Sequence, residues 1–143
     1  MTANHADWLG LALCTGAVAL SAILHVTDDD AVALDARGTR RVPDLCLFHR
    51  FTGMRCPSCG MGRAFIALGH LDLAAAWRHN RVAPLLYLFA LLQIPHRALR
   101  IASPAWRRRT ARADPLVTFW TLMAIIALLL ANWGIWLWGH VGE

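Results

Sequence analysis

From Pro115 to Trp138 the chain reads PLVTFWTLMAIIALLLANWGIWLW, without a single charged residue. Drawn as a helix at 1.5 Å per residue, this run is about 36 Å long, more than the roughly 30 Å of a bilayer's hydrocarbon core. Trp120, Trp133, Trp136 and Trp138 lie toward its ends, where an indole can rest its apolar face on lipid and turn its N–H toward headgroups. The competing explanation is a buried helix of a soluble core. Two further apolar segments in the same chain weigh against it.

The first is 8–26 (WLGLALCTGAVALSAILHV), closed by Asp28, Asp29 and Asp30. Its start lacks Lys and Arg and its apolar run exceeds a usual signal-peptide core, so an uncleaved span is expected. The second is 81–102, with Asn80 as N-cap and Pro84 in a first turn, where proline is tolerated. Composition agrees. Of 143 residues, 57% are hydrophobic and 16% charged, against about a quarter charged in a soluble chain. The net charge of +5 comes entirely from arginine, and its placement between apolar spans reads as topology signal and headgroup contact rather than nucleic-acid binding.

Arg97, Arg100, Arg107, Arg108, Arg109 and Arg112 crowd the link between 81–102 and 115–138 against a single Asp114. Such a connector stays in the cytoplasm. Three crossings then put the N-terminus in the cytoplasm, with the 27–80 loop and the C-terminal GHVGE outside. Arg37, Arg40, Arg41, Arg78 and Arg81 in that loop run against the rule, partly offset by aspartates.

The 27–80 loop carries the chemistry. Residues 28–43 read as irregular with one short extended piece, and Thr52-Gly53 as a turn. Cys56 suits an N-cap and Pro57 a first helical position. Ala64, Phe65, Leu68 and Leu71 follow at helical spacing until Gly69 and Asp72 break the pattern. Phe65, Leu68 and Leu71 on one side of that short helix suit an interfacial position.

Three cysteines share the loop: Cys46, Cys56 and Cys59. Cys14, mid-span, is a small apolar residue. The simplest reading is a structural disulfide from Cys46 to Cys56 or Cys59. A thiol–disulfide oxidoreductase is the second: Cys-Pro-Ser-Cys at a helix N-terminus, with Cys56 as nucleophile, Cys59 resolving and Arg63 favouring thiolate. No strand–helix alternation of the thioredoxin kind surrounds it. The third is a zinc site of Cys46, His49, Cys56 and Cys59, spaced Cys-x-x-His and Cys-x-x-Cys-Gly. Arg63 otherwise meets a lipid phosphate or another anion. His70 and His79 are weaker candidates for proton transfer.

The run Cys46…Thr52-Gly53…Cys56-Pro57-Ser58-Cys59-Gly60-Met61-Gly62-Arg63-Ala64, followed by Leu68, Ala75 and Asn80, resembles a family of small bacterial membrane proteins of unknown function. Its signature is Cys…Thr-Gly…Cys-Pro-x-Cys-Gly-x-Thr-Arg-Ala, then an Asn before an apolar helix. The likeness covers about 46–95. Gly62 stands where the family commonly has threonine, and His49 is outside the signature. The resemblance implies a helical protein of the bacterial inner membrane and brings no activity with it.

The expectation is therefore an all-α polytopic membrane protein, one membrane domain over 1–143, with three transmembrane helices and a short interfacial helix after Cys-Pro-Ser-Cys. Its expected role is an accessory or scaffold component with a cysteine-stabilised outward loop rather than an enzyme. Its partners are the lipid bilayer and possible other membrane proteins; its cofactor is none or zinc.

Overall fold

The computed structural model describes residues 5–27, 31–34, 41–42, 46, 51 and 56–141. Helices dominate: α1 His5–Ile23, α2 Met61–Gly69, α3 Leu73–His79, α4 Ala83–Ala102, α5 Pro104–Thr110 and α6 Ala113–Val141. α1 and α6 are each long and apolar enough to cross a membrane, and α3 with α4, bent by 119°, makes a third candidate. The molecule therefore has two or three candidate membrane-spanning helices.

Among the described residues three two-residue strands follow α1: β1 His25–Val26, at the end of the expected 8–26 span, and β2 Val32–Ala33 and β3 Arg41–Val42, within 28–43, where one extended piece was expected. They form an antiparallel sheet in that order, with His25 opposite Ala33 and Val32 opposite Val42. The local cause is at Thr27, whose backbone N–H and hydroxyl both donate to the Ala31 carbonyl, at 2.9 and 3.1 Å. That closes the β1–β2 turn.

α1 and α4 pack antiparallel, fastened at both ends. Near one end the Asp7 carboxylate accepts from Arg97 and Arg100; near the other Ser21 Oγ meets the Tyr87 hydroxyl at 3.2 Å. From Asp7 to Ser21 is about 21 Å of helix and from Tyr87 to Arg100 about 20 Å, so the two fastenings share one register. Gly10, one turn after Asp7, leaves room for the Arg97 side chain: a Cβ there would stand 3.2 Å from Arg97 Nε. α4 runs on through Pro95, forgoing the backbone hydrogen bond that this residue's nitrogen would have donated to Leu91.

α2 docks across the far end of α1. Gly69 rests against the Ser21 carbonyl, where a Cβ would collide with backbone. His70 stacks on His25 at 4.7 Å between ring centroids, and its Nε2 lies 2.8 Å from the Leu24 carbonyl oxygen. These contacts give His70 a packing role between α2 and the end of α1. Beneath them Ala64, Ala67, Ala76 and Ala83 form a small-residue core with Met61, Phe65 and Leu68 around it.

α6 meets the rest of the bundle through its first turns, where Asp114 and Thr118 bond to α4. Beyond them Trp120, Ile135 and Trp138 stand exposed, as expected of a helix whose solvent is lipid.

Candidate functional site

The helix expected from Pro57 begins four residues later. Cys56–Gly60 is a turn: the Cys59 N–H donates to the Cys56 carbonyl and the Met61 N–H to the Ser58 carbonyl, both at 3.0 Å. Gly60 then takes a left-handed conformation (φ 81°) as the cap of α2. This reversal folds the chain back on itself and brings both CxxC sulfurs to one side.

Cys46 closes the arrangement. Its sulfur lies 3.5 Å from that of Cys56 and 3.5 Å from that of Cys59, while Cys56 and Cys59 are 3.0 Å apart. All three are half-buried and none is bonded to another. The Cys56 backbone N–H donates to Cys59 Sγ at 3.2 Å, and the Ser58 hydroxyl stands 3.5 Å from Cys56 Sγ.

The two CxxC thiols are unequal. Burial acts to raise both. At Cys56 it is outweighed by hydrogen bonds from the Cys59 thiol, the Ser58 hydroxyl and the Cys46 thiol, and the pKa falls below the ordinary thiol value. At Cys59 burial and the bond it makes to Cys56 act together, and the thiol is pushed up to about 12. Arg63 sits half-buried in the first turn of α2. His49, Thr52, Gly53 and Arg55 lie outside the described residues.

Asn80, expected as the N-cap of the helix that follows, is instead the C-cap of α3, and Val82 takes the N-cap position of α4. The Asn80 side-chain oxygen accepts from the Val82 N–H at 3.0 Å at the α3–α4 elbow, and its amide donates to the Cys59 carbonyl at 3.3 Å. A buried side chain (5% exposed) therefore couples the thiol turn to the start of α4. Asn80→Ala leaves a donor and an acceptor unmatched and is expected to destabilise the chain by about 1–3 kcal/mol, read as a lower unfolding midpoint in detergent. Unchanged stability would deny the coupling.

A second polar cluster lies at the other end of the bundle, where sequence reasoning saw only a basic connector. Asp7 is 1% exposed. Its Oδ1 accepts from Arg97 Nη1 at 2.8 Å and Arg100 Nε at 2.9 Å. The same guanidiniums reach Asp114 Oδ2 at 3.5 and 3.4 Å, and His96 Nε2 lies 2.8 Å from Asp114 Oδ1. Gln93 accepts from Arg97 and donates to Thr118, and Arg100 also donates to Thr110 on α5. The available signal was the i, i+3 spacing of Arg97 and Arg100, with one aspartate just before each outer span.

A family described as "Protein of unknown function (DUF2752)" matches residues 46–94, the stretch from the first clustered cysteine into α4. No curated protein and no solved structure matches the chain.

Proposed function

We propose that this is a small membrane scaffold whose 27–80 loop is tied to the α3–α4 elbow by a thiolate-bound divalent ion, zinc being the best fit. The observation that carries the reading is that Cys46 is equidistant from the other two sulfurs. A disulfide needs two sulfurs and leaves the third idle; a soft ion uses all three. Thiolates about 2.3 Å from a tetrahedral ion stand roughly 3.8 Å apart, close to the 3.5 Å that Cys46 keeps from each neighbour. The Cys56–Cys59 pair is tighter than that, at 3.0 Å. Backbone N–H donation to sulfur and the left-handed glycine after the second cysteine support the same use. His49 is the proposed fourth ligand. The ion's contribution is structural: it replaces thiol protons and ties Cys46 to the Cys56–Gly60 turn.

In this reading 1–143 is one membrane domain in the bacterial inner membrane, crossing three times, with α2 and α3 at the interface. The N-terminus and the arginine-rich connector are cytoplasmic, and the thiol corner and C-terminus are outside. The antiparallel α1–α4 pair supports the relative placement, since Asp7 and Arg100 share one end while the thiol turn adjoins the other. Other membrane proteins are its proposed partners besides lipid.

The test is elemental analysis with thiol counting by mass spectrometry, alkylating before and after chelation and before and after reduction. About one zinc per chain and three thiols that alkylate only after chelation are expected. Cys46→Ser should lower zinc affinity by more than the 10- to 100-fold typical of losing a supporting partner. A protected pair that opens only on strong reduction, without metal, would overturn the reading in favour of a disulfide staple.

The unequal thiols favour one alternative, the thiol–disulfide oxidoreductase. In it the Cys56 thiolate attacks a substrate disulfide, expels one substrate thiol and forms a mixed disulfide. Cys59, once deprotonated, displaces the second substrate thiol and leaves Cys56–Cys59 oxidised. With Cys56 lowered and Cys59 at about 12, the chelated chain should alkylate at Cys56 well before Cys59 near pH 8. Rapid equilibration of that pair with glutathione would carry this alternative over the metal site.

A further inference from the structure

The carboxylates at the Asp7 end of the bundle are engaged inward. Asp7 and Asp114 bind Arg97 and Arg100, and His96 covers the remaining oxygen of Asp114. On α5 and the turn after it, Arg108, Arg109 and Arg112 are exposed and form no ion pair with an acid among the described residues. All three fall in the α5–α6 connector, Arg108 and Arg109 in the last turn of α5 and Arg112 in the turn that follows. Like charges this close in the chain repel one another. No acid among the described residues pairs with them, so their guanidiniums are open to an external anion.

The position of the patch selects the kind of anion. α5 is held against the bundle end by the Arg100 Nη1 to Thr110 Oγ1 bond at 2.9 Å, and the Ser103 hydroxyl caps its first turn by accepting from the Trp106 N–H at 3.3 Å. It sits directly between α4 and α6, where a crossing helix meets headgroups. Trp106, one turn before the arginines and 39% exposed, is the residue type that settles at that depth. Guanidinium forks match phosphate oxygens two at a time. We infer that Arg108, Arg109 and Arg112 form a binding site for the phosphate of an anionic lipid headgroup, with Trp106 seated beside it in the interface.

The experiment uses the full chain in a neutral detergent. The unfolding midpoint is followed as phosphatidylglycerol, phosphatidylcholine, inorganic phosphate or duplex DNA is added. Phosphatidylglycerol should raise the midpoint, half a molar salt should erase the rise, and phosphatidylcholine should give little. Arg108→Gln/Arg109→Gln/Arg112→Gln should weaken the lipid about a hundredfold, roughly fivefold per arginine. Far-UV circular dichroism should show the variant's helices unchanged; if they are lost, Arg108→Gln/Arg109→Gln carries the test, with about a 25-fold weakening expected. Arg78→Gln/Arg81→Gln, at the opposite end, removes two exposed charges and should leave the lipid effect intact. An equal loss in that control would reduce the effect to net charge and overturn the site. So would an undiminished lipid response in the folded α5 variant. A rise of the same size with inorganic phosphate or DNA would overturn the lipid assignment.

Discussion

Asp7→Ala is expected to cost about 3–5 kcal/mol of stability, the range for breaking a buried ion pair from one side. The reason lies in what remains. Arg97 and Arg100, with side chains 13% and 10% exposed, lose the carboxylate that accepts their shortest bonds, at 2.8 and 2.9 Å, and retain Asp114 only at 3.5 and 3.4 Å. Two guanidiniums then share one distant carboxylate in a place water reaches poorly. The helix dipoles add to the loss. Asp7 lies in the first turn of α1 and Arg100 in the last turn of α4, each at the end that favours its charge. Unfolding in mixed micelles would read the effect. Asp7→Asn keeps the shape and one acceptor and should lose less, and Asp7→Ala/Arg100→Met should recover part of the loss, because it removes a charge the first change stranded. A single Asp7→Ala variant within about 0.5 kcal/mol of the parent would mean that the cluster is solvated and does not hold the helices.

Hydropathy places Trp8 and Pro115 as the first residues of two spans and leaves Asp7 and Asp114 just outside them, as ordinary boundary acids. Arg97 and Arg100 are counted with Arg107 to Arg112 as one basic run. The i, i+3 spacing puts Arg97 and Arg100 on one face of their helix, but that this face turns inward onto Asp7 is decided by the α1–α4 register, a long-range property. Membrane-length apolar runs, by contrast, are local. The segments read as 8–26, 81–102 and 115–138 reappear as His5–Ile23, Ala83–Ala102 and Ala113–Val141, shifted by a few residues. The break between α2 and α3 was also local and legible: Gly69 and Asp72 mark it, Leu71 takes a positive φ of 63°, and the Asp72 carboxylate accepts from the Ala75 N–H.

The thiol corner was half legible. That Cys46, Cys56 and Cys59 share a loop is visible by eye. The turn that gathers two of them is not, because Pro57 in a first-turn position and Cys56 as a cap fit a helix start equally well. What tips the balance is contact with a distant element: the Gly60 backbone packs on His79, and Asn80 reaches back to the Cys59 carbonyl. The same elbow that bends α3 from α4 by 119° therefore sets the geometry of the sulfurs. α4 begins at Ala83 and reaches Arg100 in its last turn. At 1.5 Å per residue that stretch is roughly 26 Å, a little under one hydrocarbon thickness. The thiol corner and the charge cluster therefore lie at opposite ends of α4, the helix whose ends each of them fastens.

Gly60→Ala probes the thiol end of that helix directly. At φ 81° and ψ −5° any side chain carries a conformational cost of about 1–2 kcal/mol. The added Cβ would also collide with the His79 carbonyl oxygen and crowd its carbon at 3.1 Å. Those are backbone atoms at the end of α3 and cannot rotate aside, so the Cys56–Gly60 turn must move off the elbow and take the Asn80–Cys59 bond with it. A combined loss of about 2–4 kcal/mol is expected, from backbone strain and the unmatched polar groups together. A weakened zinc site should accompany it, seen as a lower metal content and, with cobalt substituted, a fainter thiolate charge-transfer band. Gly62→Ala is the matched control. It lies inside α2, exposed, with nothing within 4 Å of a new Cβ, and should be neutral or stabilising by up to about 1 kcal/mol through helix propensity. Should both alanine variants unfold together and bind zinc alike, the turn would not depend on its left-handed glycine, and the elbow would not be what positions the three sulfurs.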